Sequence, residues 1–218
     1  MFRHPLLFLL LASLPFVTSR SDEKETNEVK NKVDGVVVGS SYNVWNYAVE
    51  TVGRKSNMVI VRDKSVVSSL GNYKSWVRLD APHGKVNYYH LNVNPAVTGV
   101  PDPHTYIPQP IAVGAQSVGK AMEVLNNAAP VLLAVSAAYD TKQIYDEFQK
   151  DNTRGMAKVV TTAGKYVAGA KGSSFGASVG TMIMPGIGTL VGGIIGGIMG
   201  TTFAANVFEP IVDKFSTD

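Results

Sequence analysis

Three of the four histidines lie within twenty-two residues of one another, namely His83, His90 and His104. Histidine is the side chain best suited to proton transfer or metal ligation near neutral pH. His90 and Asn92 are two positions apart in a predicted strand, so their side chains leave the same face. His90 could act as a general base, Asn92 as its orienter or as a ligand of a metal-bound water, and His83 or His104 as a second ligand. With Arg78 as an anion clamp, this group would suit hydrolysis of a phosphodiester.

The spacing of these histidines leaves a structural interpretation open beside the catalytic one. A tightly spaced metal motif such as HExxH does not occur in the sequence. Histidines next to proline and asparagine also cap turns or bond to the backbone. The sequence therefore leaves enzymatic activity and any metal undetermined, and it predicts no cofactor.

A small residue recurs at every fourth position between Gly164 and Ala204, with one interruption at Pro185. Positions i and i+4 lie one above the other on a helix, so this pattern predicts a groove that another backbone can approach closely. Glycine inside a helix costs about 1 kcal/mol relative to alanine, and close packing of helices in lipid is one way to offset that cost. The predicted seam consists of Gly172, Gly176, Gly180, Gly188, Gly192, Gly196 and Gly200.

The glycine segment is predicted to fold as a helical hairpin that inserts into a membrane or oligomerises there. Residues 185–188 (Pro-Gly-Ile-Gly) form the turn, and no charged residue lies between Lys171 and Glu209. The second arm, Thr189 to Phe208, is twenty residues long, or about 30 Å, which is the thickness of a bilayer core. Lipid and further copies of the chain are therefore the expected partners. Two alternatives remain: a hairpin buried in a soluble helical bundle, and a segment that assembles with its copies without lipid.

The sequence predicts an α+β fold that must position the histidines and the glycine seam. A small mixed N-terminal domain is followed by a helical tail that ends in the glycine-zipper hairpin. The predicted divisions are a signal peptide (1–19), a charged leader (20–32), an α+β head (33–94), a proline-rich strap (95–110) and a helical domain (111–218) with the hairpin at 164–208. Strands are expected at 36–38, 58–62, 75–79 and 86–92, with a helix at 43–54. Tail helices are expected at 111–127, 131–150, 154–184 and 189–208.

Composition and the first nineteen residues favour export. A basic start, a short apolar run and small residues before position 20 are typical of a cleavable signal peptide, so we expect a secreted protein that could associate with membranes after release. The chain has no cysteine, so disulfides cannot stabilise it. Its formal net charge of +3 is modest and requires no nucleic-acid partner.

The run WVRLDAPHGKVNYYHLNVNPAVTGVPDPHTYIP (76–108), followed by a tail with repeated GxxxG, resembles modules near the C-termini of bacterial polymorphic toxins and of secreted toxin-like proteins in other lineages. The His-x-Asn and Asp-Pro-His elements carry the resemblance. It implies conflict with other cells, through either nuclease activity or action on membranes. In this chain the glycine hairpin comes last, whereas toxin catalytic units are often C-terminal.

Together these observations predict a secreted membrane-interacting protein, a toxin or defence effector that inserts or oligomerises through its glycine hairpin. The first alternative is a secreted metal- or histidine-dependent hydrolase, nuclease-like, that uses His83, His90 and His104. The second is a self-assembling extracellular structural protein.

Overall fold

The computed structural model describes residues 20–51 and 56–214. The predicted signal peptide at 1–19 lies outside the described residues. The helices are α1 (Arg20–Asn46), α2 (Pro95–Thr98), α3 (Gln109–Lys150), α4 (Asn152–Ile183) and α5 (Ile187–Lys214). The strands are β1 (Tyr47–Glu50), β2 (Asn57–Val67), β3 (Tyr73–Asp80), β4 (His90–Val93) and β5 (Thr105–Tyr106). A small sheet followed by long helices confirms the predicted α+β class.

The five strands form one antiparallel sheet in the order β1-β2-β3-β4-β5. β2 contains a β-branched run at 59–61, which suits a pleated, half-buried surface. β5 lies at the sheet edge within the proline-rich segment, where missing backbone donors do no harm. In the β3–β4 register, Asp80 lies opposite His90 and Arg78 lies opposite Asn92. This register brings residues ten or more positions apart into one cluster.

The main apolar core lies between the sheet, the start of α3 and the turn of the glycine hairpin. Its buried side chains are Val49, Met58, Val59, Val61, Val77, Leu79 and Leu91 of the sheet, Ala112 and Ala115 of α3, and Ile187 and Leu190 of α5. The turn at 185–186 depends on Gly186, whose φ is +83°. A Cβ on Gly186 would lie 3.2–3.3 Å from the side chains of Val61 and Val77. The closed end of the hairpin is therefore packed onto the sheet.

Several predicted elements differ from the observed ones. The strand predicted at 36–38 is wrong, because these valines lie within α1, where Val37 and Val38 are buried. The helix predicted at 43–54 is wrong at 47–50, which form β1. The helices predicted at 111–127 and 131–150 are one continuous helix, α3, with Pro130 inside it. The charged stretch at 20–32, predicted as a solvated leader or the first turn of an exposed helix, is the first part of α1.

Candidate functional site

The glycine seam lies between α4 and α5 of the same chain. The two helices run antiparallel, and the small residues face one another in a regular register: Ala168 with Gly200, Gly172 with Gly196, Gly176 with Gly192, and Gly180 with Gly188. A Cβ at any of these glycines would overlap a carbonyl oxygen of the opposite helix. Backbones this close gain dispersion and Cα–H···O contacts along the whole interface. The predicted seam residues therefore do lie on one line, but their partner is the other arm of the hairpin.

A second glycine contact joins α1 to α5. A Cβ on Gly39 would lie 2.8 Å from the carbonyl oxygen of Gly193, and one on Gly197 would lie 2.6 Å from that of Gly35. Beside this contact, Asn43 donates a 2.9 Å hydrogen bond from Nδ2 to a backbone oxygen of α5. This interface is absent from the sequence-based prediction, because three consecutive valines between the two glycines favour a strand. The Gly-x-x-x-Gly spacing at 35 and 39 was the signal that could have revealed it.

These contacts describe the hairpin within a single chain. The seam is predicted to meet lipid or another copy of the chain. In this structure the two arms of the hairpin fill it, as in the alternative of a packed helical bundle. A hairpin that inserts from one side would carry its Pro-Gly turn into the membrane, whereas here Ile187 and Leu190, just after the turn, join the core against the sheet. Insertion with the turn leading would therefore require the hairpin to separate from the sheet.

The hairpin also has an outward face that is apolar and exposed. Its residues each lie one position before a member of the four-residue repeat that runs from Gly164 to Ala204, and they are Phe175, Val179, Ile195, Met199 and Phe203. The residues that follow seam positions by one, such as Gly169, Ser173, Gly193 and Gly197, are directed to α1 or buried. Because i−1 and i+1 lie on opposite sides of a helical seam, the outward face points away from α1. We call these five residues the hairpin face.

Two described helices are long and apolar enough to cross a membrane by length and composition. They are Gln109–Lys150, which contains an 18-residue stretch of mean hydropathy 1.3, and Ile187–Pro210, which contains one of mean hydropathy 1.6. The core helix of a soluble protein can pass the same criterion. The hairpin face is the more specific observation, because its large side chains remain exposed after the helices have packed.

A buried polar network closes the bundle at the open end of the hairpin. Lys30 of α1 contacts Asp34 and Asp140 at 2.6 Å each, which links α1 to α3. Lys165 of α4 donates a 3.0 Å hydrogen bond to Oδ1 of Asn31. The same asparagine donates from Nδ2 to Glu209 of α5 at 3.1 Å. All four long helices therefore meet through charged and amide groups at this end.

Burial and charge act on this network in opposite directions. Burial would lower the pKa of Lys30, but the carboxylates of Asp34 and Asp140 outweigh it and raise that pKa. At Lys165, burial outweighs the attraction of Asp34, and the pKa is lowered. Burial likewise raises the pKa of Tyr166, whose hydroxyl donates a 2.9 Å hydrogen bond to Asp140. The network therefore contains both a strongly paired lysine and one that is less well compensated.

The histidine cluster lies at the end of the sheet where β3 and β4 meet. His83 and His104 each stack on His90, with ring centroids 5.1 and 5.4 Å apart. Asn92 donates a 2.8 Å hydrogen bond to Oδ2 of Asp80, and the Nε2 atoms of His83 and His90 lie 4.0 Å from the same oxygen. The structure thus brings together His83, His90, Asn92 and His104, the four residues singled out from the sequence.

Two details of the predicted site change. Arg78 is not a free anion clamp, because its Nε donates to both carboxylate oxygens of Asp80 at 2.7 and 2.9 Å. Asp80 is not among the residues predicted for the site, yet it lies at its centre. It accepts hydrogen bonds from Arg78 and Asn92, and His83 and His90 lie beside it. Its position opposite His90 in the sheet register was the signal that could have identified it.

Backbone hydrogen bonds orient the histidine rings. Nδ1 of His83 lies 2.9 Å from the carbonyl oxygen of Ala81, and Nδ1 of His90 lies 2.9 Å from that of Tyr88. A carbonyl only accepts, so each Nδ1 must carry the proton, and Nε2 of the neutral ring is left with a lone pair. Asp80, His83 and His90 offer ligand atoms within 4.8 Å of one another, which makes them the described residues that could hold a metal ion.

The fold and these features define a class: an α+β protein in which a glycine-zipper hairpin is docked on a five-stranded antiparallel sheet. Two family models match the chain, the C13G5.2-like N-terminal domain at residues 30–125 and the C13G5.2-like glycine zipper domain at residues 149–207. The first includes the sheet and the second includes most of the hairpin.

A Caenorhabditis elegans protein described as uncharacterized protein C13G5.2 is 37% identical over 178 residues, which cover 79% of this chain and 51% of that protein. The chain thus spans about half the length of this curated relative. No solved structure matches the chain. The matches support the glycine zipper that the sequence predicts, whereas the resemblance to toxin modules stays a prediction.

Proposed function

We propose that this protein interacts with membranes through the hairpin face. The observation that carries the proposal is a cluster of large apolar side chains that packing leaves exposed, among them Phe175 at 73%, Met199 at 67% and Phe203 at 70% exposure. A phenylalanine presents about 150–250 Å² in total, so two at this exposure contribute on the order of 200–350 Å². With Val179 and Ile195 the face reaches the size that marks interaction sites on soluble proteins.

Charge favours lipid over a protein partner. The described part of α5 before Glu209 runs from Ile187 to Phe208 without a charge. Interfaces between soluble proteins have a polar, charged rim, and the sequence from 172 to 208 offers no charge for one. Lys171 and Glu209 bound this stretch and could reach the headgroups.

Contact along the hairpin face requires no rearrangement of the fold. The turn can stay on the sheet and the seam can stay closed while the outward side chains enter the interface. We extend the proposal to a secreted protein that acts on the membranes of other cells. The predicted signal peptide at 1–19 and the resemblance of residues 76–108 to toxin modules support this extension.

Co-sedimentation of the purified chain with liposomes tests the proposal. We expect the protein to pellet with vesicles of phosphatidylcholine, alone or mixed with phosphatidylglycerol. A triple variant with Phe175→Ser, Met199→Ser and Phe203→Ser should bind at least about 100-fold more weakly, because fully burying each of these side chains is worth about 1.5–3 kcal/mol. Its circular dichroism spectrum should stay unchanged, since the three side chains are exposed.

The matched control changes three apolar residues of the sheet and of its β2–β3 turn that are half or more exposed, through Val67→Ser, Leu70→Ser and Tyr106→Ser. This variant should pellet like the unchanged protein. Equal pelleting of both triple variants, or no pelleting of the unchanged protein, would show that the hairpin face does not bind lipid. A dimer that forms without lipid and is lost in the hairpin variant would instead assign the face to a second copy and overturn the proposal.

A further inference from the structure

The strongest feature outside the hairpin is the pair of buried side chains at the centre of the histidine cluster. The side chain of His90 is 1% exposed and that of Asp80 is 0% exposed. Nε2 of His90 is buried and has no hydrogen-bond partner among the described residues. A buried polar atom without a partner costs about 1–3 kcal/mol, so a lone pair held in this position needs a compensating ligand. We propose that Asp80, His83 and His90 form a zinc site.

Two of the three separations between the ligand atoms are near those of a tetrahedral site, and all three ligand atoms lie within 4.8 Å of one another. Oδ2 of Asp80 is 4.0 Å from Nε2 of both His83 and His90. Zinc binds such atoms at about 2.0–2.2 Å, which places tetrahedral ligand atoms about 3.4 Å apart. Each distance would have to shorten by about 0.6 Å, which small side-chain rotations can supply. Exposure of the His83 side chain, at 40%, leaves it free to make this movement.

The second shell of the cluster is of the kind found around bound metals. Metal-ligating histidines nearly always donate their other ring nitrogen to a carbonyl or carboxylate, and here Nδ1 of His83 and His90 lies at the carbonyl oxygens of Ala81 and Tyr88. Ligating carboxylates are themselves hydrogen-bonded, and Asp80 accepts from Asn92. Both arrangements orient the ligand atoms toward one another.

The donor set selects zinc over calcium or magnesium. Two imidazole nitrogens and one carboxylate suit zinc, whereas the hard cations prefer a cage of oxygens. Three protein ligands would leave a fourth position for water or substrate. His104 stacks on His90 but lies outside the set of ligand atoms.

Isothermal titration of the full chain, after treatment with a chelator, tests the site with zinc chloride and magnesium chloride as probes. We expect about one zinc ion per chain, with much weaker binding of magnesium. His83→Ala should weaken zinc binding by at least about 100-fold, since losing a ligand exceeds the roughly 10- to 100-fold loss for an outer partner. Asp80→Asn should have a similar effect, and a circular dichroism spectrum checks that this buried variant has folded.

His104→Ala is the matched control, because it removes a stacked histidine of similar exposure that contributes no ligand. It should bind zinc like the unchanged chain. Absence of zinc binding in the unchanged chain would overturn the proposal, as would binding that survives His83→Ala. A loss in His104→Ala as large as that in His83→Ala would show that the ligand set is wrong, and equal affinity for magnesium would refute the choice of metal.

Discussion

The sharpest test of the packed hairpin replaces one seam glycine by alanine. The control is the same substitution at a helical glycine where an added methyl group would contact none of the described residues. Gly176 lies in the seam, where a methyl group would overlap the carbonyl oxygen of Gly192 and lie 3.0 Å from Cα of Gly196. Gly114 lies in α3, where no atom of the described residues comes within 4 Å of an added Cβ. Both residues are helical, so the intrinsic gain from glycine to alanine, about 1 kcal/mol, is the same in each.

The two variants should differ in sign. Carbon atoms normally approach to about 3.5–4.0 Å, so Gly176→Ala must force the helices apart locally. Overpacking of this kind costs about 1–3 kcal/mol, and weakening the Cα–H···O contacts of the two neighbouring pairs adds about 1–2 kcal/mol. After the gain in helix propensity, the net loss in the free energy of unfolding is about 1–4 kcal/mol. Gly114→Ala should instead raise it by about 1 kcal/mol.

Urea unfolding followed by circular dichroism measures both variants. At a typical slope of about 1–3 kcal/mol per molar urea, the midpoint of Gly176→Ala should fall by roughly 1 M while that of Gly114→Ala rises. If both variants become more stable by similar amounts, then α4 and α5 do not contact each other through the seam in solution. The glycines would then be available to another helix, and the description of the hairpin given above would be refuted.

Two further predictions concern the polar network. Lys30→Met should lower the free energy of unfolding by about 3 kcal/mol, because it removes the cation that two buried carboxylates share, whereas Lys32→Met, which breaks an exposed pair with another residue of α1, should cost less than about 0.5 kcal/mol. Equal midpoints in urea would contradict this. Lys165 has a folded-state pKa below that of the unfolded chain, so it is protonated more in the unfolded chain and its contribution to stability rises with pH up to about 10.5. Lys165→Met should therefore flatten the rise of stability between pH 8 and 10, measured by urea unfolding, and an unchanged slope would contradict it; Tyr47, whose pKa burial raises to about 12, acts in the opposite direction only above pH 10.

The histidine site could be anticipated because its parts are local in sequence. His90 and Asn92 share a strand, and His83 and His104 lie in turns on either side of it, so one antiparallel pairing brings them together. Asp80 was missed because its role depends on the register between β3 and β4. A register that differs by one residue would send its side chain to the other face of the sheet.

The hairpin could be predicted as a pair of helices, but its surroundings could not. Four-residue spacing and a Pro-Gly turn are local signals, and they give both helices and their seam. Docking of the turn onto Val61 and Val77 depends on the shape of a sheet that is distant in sequence. The wrong strand prediction at 36–38 has a similar origin. Three consecutive valines favour a strand locally, but the packing of Gly35 and Gly39 of α1 against α5, which is distant in sequence, favours a helix.

The three sides of α5 lack charged residues for different reasons. One side of α5, at 188, 192, 196 and 200, meets the backbone of α4, and another, at 193 and 197, meets α1. No charged side chain fits at either contact, so these two sides would lack charge in any medium. The third side carries Ile195, Met199 and Phe203, which touch neither helix closely enough to be buried. Only this third side leaves large apolar side chains exposed that lipid or another partner could bury. The membrane proposal therefore depends on the hairpin face and not on the glycines.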